Sequence, residues 1–240
     1  MRAVLHAHST WSYDGHWHLE RIARLFGGLG MDAVMMTEHD TGFDPSRFQE
    51  YRDACRNAST AGCTLVPGIE YSSPDNSVHV LTWGLDHFLA EHRPVDETLG
   101  RVAEAGGAAI FAHPVRRDAY RLFDPAWADR LHGIELWNRK SDGLTHGQAA
   151  LELIGRTGLP ATVGVDFHRL RNLWPLSHRF DAIAPDADPE AQLVAALRGG
   201  RHRAEVFGRA VLDREGRPAS ALHGRLDRSR RAVLNTIRRR

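Results

Sequence analysis

The sequence predicts an α/β fold, and three observations carry that expectation. Short apolar runs rich in Val, Ile and Ala alternate many times with longer amphipathic stretches, the rhythm of a βαβ chain built on a parallel sheet or barrel. The length, 240 residues at 42% hydrophobic, suits one large domain, and a single α/β barrel is about this size. His6, His39, Glu70, His113 and Asp166 each stand at or just past the end of an expected strand. In parallel α/β folds the C-terminal rim of the strands is where active sites assemble from separate loops.

Taken in order, the strands are expected at 3–6, 33–37, 64–69, 78–83, 108–112, 133–137, 161–165 and 180–184, each a short apolar run. Helices fall between them. Leu19, Ile22, Ala23, Leu25 and Phe26 form one apolar stripe, stopped by Gly27-Gly28; Leu151, Leu153 and Ile154 form another, stopped at Gly158 ahead of Pro160. Residues 189–197 read as a further helix, ended by Gly199-Gly200. The body is expected to span 1–207. Residues 208–240 are expected to be an Arg-rich extension: an exposed connection, then an amphipathic helix from about 220 that docks through Leu222, Leu226, Val233, Leu234 and Ile237.

The formal charge of +1 hides an asymmetry: residues 200–240 carry 12 Arg against four acids, so the rest of the chain is mildly acidic. An acidic body fits carboxylates aimed at bound cations, and it fits surface acids equally well. Cys55 and Cys63 are too few for a disulfide framework and lack Cys-x-x-Cys spacing, so they read as thiols in a reducing compartment. No apolar stretch approaches the length of about 20 residues that spans a bilayer, and the N-terminus does not read as a signal peptide. The expectation is a cytoplasmic protein with no membrane partner.

The chemistry-bearing residues are histidines and carboxylates. His6-Ala7-His8 on an extended strand would put both imidazoles on one face, because side chains alternate with period two. Asp166-Phe167-His168 repeats that geometry. Asp14, the His39-Asp40 pair, Glu70, His79 and His113 add further candidates that only a fold could bring together. A lone histidine on an apolar run is usually a packed or surface residue. A set recurring at strand ends points to a metal site.

Leu5-His6-Ala7-His8-Ser9, Ser12-Tyr13-Asp14-Gly15, Thr37-Glu38-His39-Asp40, Gly68-Ile69-Glu70, His79, Ala112-His113-Pro114 and Val165-Asp166-Phe167-His168 occur in this order. Over residues 3 to about 170 the chain thereby resembles the polymerase and histidinol phosphatase (PHP) superfamily of phosphoesterases, and Gly133-Ile134-Glu135-Leu136-Trp137-Asn138 is similar to a segment that often follows the Ala-His-Pro motif there. The resemblance implies a distorted (β/α)7 TIM-like barrel with two to three divalent metals at the C-terminal rim of the strands. It implies one metal on His6, His8, Glu70 and Asp166, a second on Glu70, His79 and His113, and a third on Asp14, His39 and His168. Mixed imidazole and carboxylate shells suit zinc, manganese or iron. Two cations roughly 3.5–4 Å apart lower the pKa of a shared water and hold phosphoryl oxygens for in-line attack, so a metal-bridging hydroxide is the expected nucleophile. Glu70 and His39 would act within that centre, while Asp40 would orient a ligand or shuttle a proton. Two positions depart from the usual pattern: Val4 stands where many members carry aspartate, and Glu38 replaces the aspartate of Thr-Asp-His-Asp.

Arg116 and Arg117 after the Ala-His-Pro loop, Arg169 and Arg171 after the Asp-x-His loop, and Asn138 at a strand end are the expected substrate-binding residues. His16 and His18 would either join the ligands or sit near the mouth. Trp11, Trp17, Trp137 and Trp174 would wall the pocket or pack under its loops. The reading is a hydrolase of phosphate esters acting on a phosphorylated metabolite or nucleotide. Its closest rival is a nuclease that trims short RNA or DNA, engaged through the basic C-terminal extension. A noncatalytic metal-binding module is the third reading.

Overall fold

The computed structural model describes residues 1–181, 188–213 and 217–219. In chain order the elements are β1 (Arg2–Leu5), α1 (Leu19–Gly28), β2 (Ala33–Met35), β3 (Glu38–His39), α2 (Phe48–Ala58), β4 (Thr64–Val66), β5 (Gly68–Ser72), β6 (His79–Trp83), α3 (Val95–Glu104), β7 (Ala108–Phe111), β8 (Ile134–Asn138), the single turn α4 (Arg139–Asp142), α5 (Gln148–Thr157), β9 (Ala161–Gly164), β10 (Leu176–Phe180), α6 (Pro189–Arg198), β11 (His202–Val206) and β12 (Arg209–Ala210). The α/β class is as expected. The last expected strand, 180–184, is instead β10 and ends at Phe180; most of the expected span lies outside the described residues, as does the helix expected from 220.

The strands pair into two six-stranded mixed sheets, ordered β12-β11-β10-β1-β2-β4 and β3-β5-β6-β7-β8-β9, rather than into one ring of seven parallel strand-helix units. The departure has a local cause. Between β5 and β6 there is no helix but a tight turn, in which the Ser73 hydroxyl accepts the N–H groups of Ser77 and Val78 and Asp75 accepts the Ser77 N–H. β6 therefore returns antiparallel to β5, with Ser72 opposite His79. That reversal has a consequence for chemistry: His79 begins its strand yet lies at the same rim as Glu70, which is inside β5.

The sheets meet at that rim. Val165 and Phe167 donate backbone N–H groups to the carbonyls of Leu5 and His6, and His8 donates back to Phe167, while Thr37 donates to Ala7 and Asp40 to Glu70. In β1, β2 and β4 to β9 the side chains are largely buried on both faces, which is why most of these strands read as continuous apolar runs, while β10 to β12 expose Arg179, Arg203 and Arg209. Ala3, Leu5, Ala33, Met35, Val66, Leu81, Trp83, Ala108 and Ile110 form an inner core with Leu193 and Leu197 of α6; Val4, Val34, Leu65, Val80, Ala109 and Phe111 pack outward. Trp83 and Ala108 lie at the far ends of β6 and β7 from His79, and α6 packs on them. The helix seals the end opposite the histidines.

The β10–β11 ladder carries a histidine pair, one buried and one half-buried, that no sequence spacing recommended. The His178 and His202 rings lie 5.3 Å apart, and among the described residues His178 Nδ1 and both His202 nitrogens have no hydrogen-bond partner. Burial, and for His178 also the neighbouring imidazole, disfavours protonation; His202 is pushed down to about 4 from 6.5. The unfolded chain takes up these protons at a pH where the folded pair refuses them, so the stability is fully present above about 6.5 and is lost as pH falls towards 4. Urea midpoints measured from pH 7.5 to 4 should fall less steeply for His202→Phe than for the unsubstituted chain. Parallel profiles would contradict this account.

Candidate metal centre

Three of the expected ligand positions are reached through backbone that side chains rarely adopt. His6 has φ 67°, Asp166 φ 50° and His113 φ 25°, each just after a strand. Left-handed conformations at non-glycine residues cost of order 1–3 kcal/mol and collect at functional sites. At His6 the effect is visible in the packing: Leu5 belongs to the inner core and Ala7 to the outer one, so the alternation is broken between them. Regular period-two geometry is therefore not what aligns His6 and His8, since β1 ends at Leu5. The turn at His6 does that.

Nine expected ligands converge at the rim. Glu70 is 1% exposed and sits at their centre, with Oε1 2.6 Å from His79 Nδ1 and 2.7 Å from His113 Nε2. Its Oε2 is 3.2 Å from His39 Nδ1 and 3.4 Å from both His6 Nε2 and His8 Nε2. Asp166 Oδ1 lies 3.6 Å from His8 Nε2 and 3.2 Å from His168 Nδ1. Asp14 bridges His39 at 3.3 Å and His168 at 3.0 Å. His8 packs its ring against those of His39 and His168 at 4.3 and 4.2 Å.

The electrostatics separate two kinds of imidazole. Burial opposes charge on His6, but Glu135, Asp166 and Glu70 outweigh it and raise its pKa. Burial likewise opposes charge on His39, yet Asp14 and Glu70 raise it to about 10. His8 goes the other way: burial lowers its pKa, reinforced by His39 and His168, so it stays neutral with a lone pair available. Burial would raise Glu70, but His79, His6 and other imidazoles hold it well below the usual carboxylate range.

These residues fit metal ions on the structure's own terms. Buried polar atoms normally have hydrogen-bond partners, whereas among the described residues His8 Nε2, Asp14 Oδ1 and Asp166 Oδ1 make ion-pair contacts at 3.2–3.6 Å but no well-aligned hydrogen bond. His6, His8 and Asp166, as well as His6, Glu70 and His113, and His8, His39 and His168, each bring three ligand atoms within 4.8 Å of one another. The space opens into a pocket of about 90 Å³ whose lining includes Asp14, His39, Glu70, His79, His113 and Asp166, with Tyr13, Asn76, Arg116 and Lys140 at its mouth.

Not every expected residue reaches that pocket. Asp40 is buried outside the lining, and its Oδ2 accepts the backbone N–H groups of Ser72 and His92, so it ties the end of β5 to the loop before α3 instead of facing substrate. Asn138 is fully buried; its Nδ2 donates to Glu135 and Asp166, and its Oδ1 accepts the Ser141 N–H to cap α4. It positions a carboxylate and has no face towards a substrate. Arg116 lines the pocket, while Arg117, Arg169 and Arg171 are exposed outside it. His16 and His18 are exposed outside the cluster. Trp11, Trp17 and Trp137 pack with the core, and Trp174 packs against Phe207, so none of them walls the pocket.

Sequence reasoning missed the groups behind the ligands. Glu135 Oε1 lies 2.8 Å from His6 Nδ1, and its Oε2 accepts the His113 N–H. One carboxylate thereby sets two expected ligands. A Cβ on Gly164 would fall 1.8 Å from Glu135 Oε1, so glycine there leaves the room. Val4 packs in the outer core, and the acidic neighbour of His6 comes from β8 instead. Glu38 accepts from the Ser9 and Ser12 hydroxyls and the Ser9 N–H, bracing the loop that carries Asp14. Lys140 was also overlooked, though a lone lysine in so arginine-rich a chain was a signal.

No family model matches the chain, and no curated protein does. Solved structures share its fold. One is described as a two-domain protein from Bacteroides vulgatus containing a predicted PHP-like metal-dependent phosphoesterase, at 18% identity and a TM-score of 0.61 over 88% of this chain; the chain spans 65% of that protein's length. PsfC from Pseudomonas syringae matches at 14% identity and a TM-score of 0.64, over 98% of both chains. The lesion-specific endonuclease PfuEndoQ from Pyrococcus furiosus matches at 16% identity and 0.57, over 85% of this chain and 58% of its own.

A carboxylate behind a ligating histidine fixes its tautomer and typically contributes 10–100-fold in metal affinity. Glu135→Gln, which keeps the shape and removes the charge, should weaken Mn(II) or Zn(II) binding by about that factor in a competition titration. Unchanged affinity would show that Glu135 has no part in the centre.

Proposed function

We propose that this chain is a PHP-type metal-dependent phosphoesterase, in which His6, His8, Glu70 and Asp166 hold one divalent metal and Glu70, His79 and His113 a second. Asp14, His39 and His168 form the expected third set. The carrying observation is the convergence of three buried ligand atoms, His8 Nε2, Asp14 Oδ1 and Asp166 Oδ1, that make no well-aligned hydrogen bond among the described residues, beside a pocket that has cations at its mouth. The fold shared with a PHP-like phosphoesterase and an endonuclease supports the same reading. Bound metals would supply Lewis acidity and an activated water for in-line attack at phosphorus.

The chain's own groups prepare that chemistry. Glu135 and Asn138 hold His6 and Asp166 from behind, while Glu38 holds the Asp14 loop. Arg116 Nη1 donates to the Asn76 carbonyl at 3.2 Å and lies 3.1 Å from His79 Nε2, so its guanidinium is already placed to receive phosphoryl oxygens. Tyr13 stacks on His39 at 5.1 Å and is 73% exposed, available to a group leaving the pocket. A pocket of about 90 Å³ falls well below the 300–1,000 Å³ common for sites that enclose a whole small molecule. It takes a phosphoryl group end-on and leaves the remainder outside, which suits a phosphorylated metabolite, a nucleotide or the end of an oligonucleotide. The nuclease reading draws on the endonuclease neighbour and on Arg117, exposed beside Arg116.

The test is a panel of an aryl phosphate ester, phosphorylated metabolites, nucleotides and short 5′-phosphorylated oligonucleotides, run separately with manganese, iron and zinc. Turnover is expected in at least one arm. His113→Ala should lose at least about 100-fold, beyond what a group behind a ligand contributes, and Arg116→Ala should act mainly on KM. Equal rates for His113→Ala and the unsubstituted protein would remove the catalytic assignment. Consumption of oligonucleotides alone would move the reading to the nuclease.

A further inference from the structure

The chain contains 30 arginines and a single lysine, and that lysine is at the metal pocket. Lys140 belongs to α4, the turn that Asn138 caps, and the same Asn138 side chain donates to Asp166. Its position is therefore tied to the centre. Lys140 Nζ stands 3.0 Å from His168 Nε2, 3.6 Å from Asp166 Oδ1 and 3.8 Å from Asp14 Oδ2. Two of these three partners belong to the expected third-metal set, and Asp14 Oδ1 and Asp166 Oδ1 make no well-aligned hydrogen bond among the described residues. The other cation at the mouth, Arg116, makes no ion pair among the described residues.

We propose that the Lys140 ammonium serves as a built-in cation in the Asp14–His168 corner, so that the centre retains two divalent ions and a third enters only by displacing the lysine. The proposal rests on the metal-centre reading above and deepens it. Two physical arguments favour it. An ammonium is a compact point charge with three donors and can sit where one ion would sit, which the planar fork of arginine cannot do equally well. The corner also has a local charge to meet: the Asp14 and Asp166 carboxylates both lie within 3.8 Å of the ammonium, which already neutralises part of what a third ion would neutralise. A third divalent ion beside Lys140 would be repelled by the ammonium within about 4 Å.

The experiment counts metals and does not depend on turnover. The unsubstituted 240-residue chain, Lys140→Met and Lys140→Arg are loaded with excess Mn(II), passed through gel filtration and analysed for metal per chain. Circular dichroism verifies that each is folded; Lys140 is 43% exposed, so its loss should leave folding intact. The unsubstituted protein should keep two ions and Lys140→Met three, with the third equivalent bound at least about tenfold more tightly in Lys140→Met by titration, about 1.4 kcal/mol, and Lys140→Arg, whose fork fills the corner less well, should fall between them in affinity for the third equivalent. Three ions in the unsubstituted protein, or the same number in Lys140→Met as in the unsubstituted protein, would overturn the proposal while leaving the metal centre standing. No ion retained by any of the three would remove the metal-centre reading and this proposal with it.

Discussion

One buried carboxylate organises this molecule's functional end. Glu70 is surrounded by His6, His8, His39, His79 and His113, all with a ring nitrogen within 3.4 Å of its oxygens. An unpaired carboxylate at that depth costs several kcal/mol, and the imidazoles offset the cost well enough to hold Glu70 ionised. The five histidines come from β1 and its continuation, β3, β6 and the loop after β7. Their convergence therefore depends on the two sheets meeting at one rim, and the seam of backbone hydrogen bonds between Leu5–His8 and Val165–Phe167 is part of the site as much as of the fold.

Support around that carboxylate comes in layers. Glu135 fixes His6 through its ring and His113 through its backbone; Asn138 fixes Glu135 and Asp166 and caps the turn that carries Lys140. Glu38 holds the Ser9–Ser12 loop, and Ser12 in turn accepts the His39 N–H. Gly15 closes the same loop, since a Cβ there would fall 1.8 Å from the Ser9 carbonyl oxygen. Three left-handed residues at strand ends are held in place by this bracing, which is how strained backbone persists at a functional site.

Much of this was legible in the sequence because strand ends and ligand types are local signals. The apolar runs located β1, β2, β7, β8 and β9, and the histidine and carboxylate pairs marked the rim. What the sequence did not disclose depended on contacts between distant residues. The antiparallel return of β6 is set by hydroxyl and carboxylate bonds in the 73–78 turn, which a βα rhythm does not reveal. The His-x-His geometry was expected from strand alternation and arises instead from a turn at His6. Glu135 looked like one acid in an apolar strand, and only its pairing across 129 residues with His6 shows its role. Asp40 and Asn138 have reactive side chains, but their hydrogen bonds commit them to bracing.

In the proposed centre Glu70 lies between two bound divalent metals. Diffraction from crystals soaked in Mn(II), collected for anomalous scattering, tests it most directly. Two peaks flanking Glu70 are predicted, one touching His6, His8 and Asp166 and the other His79 and His113. Peaks elsewhere, or a single peak that leaves Glu70 uncoordinated, would contradict it.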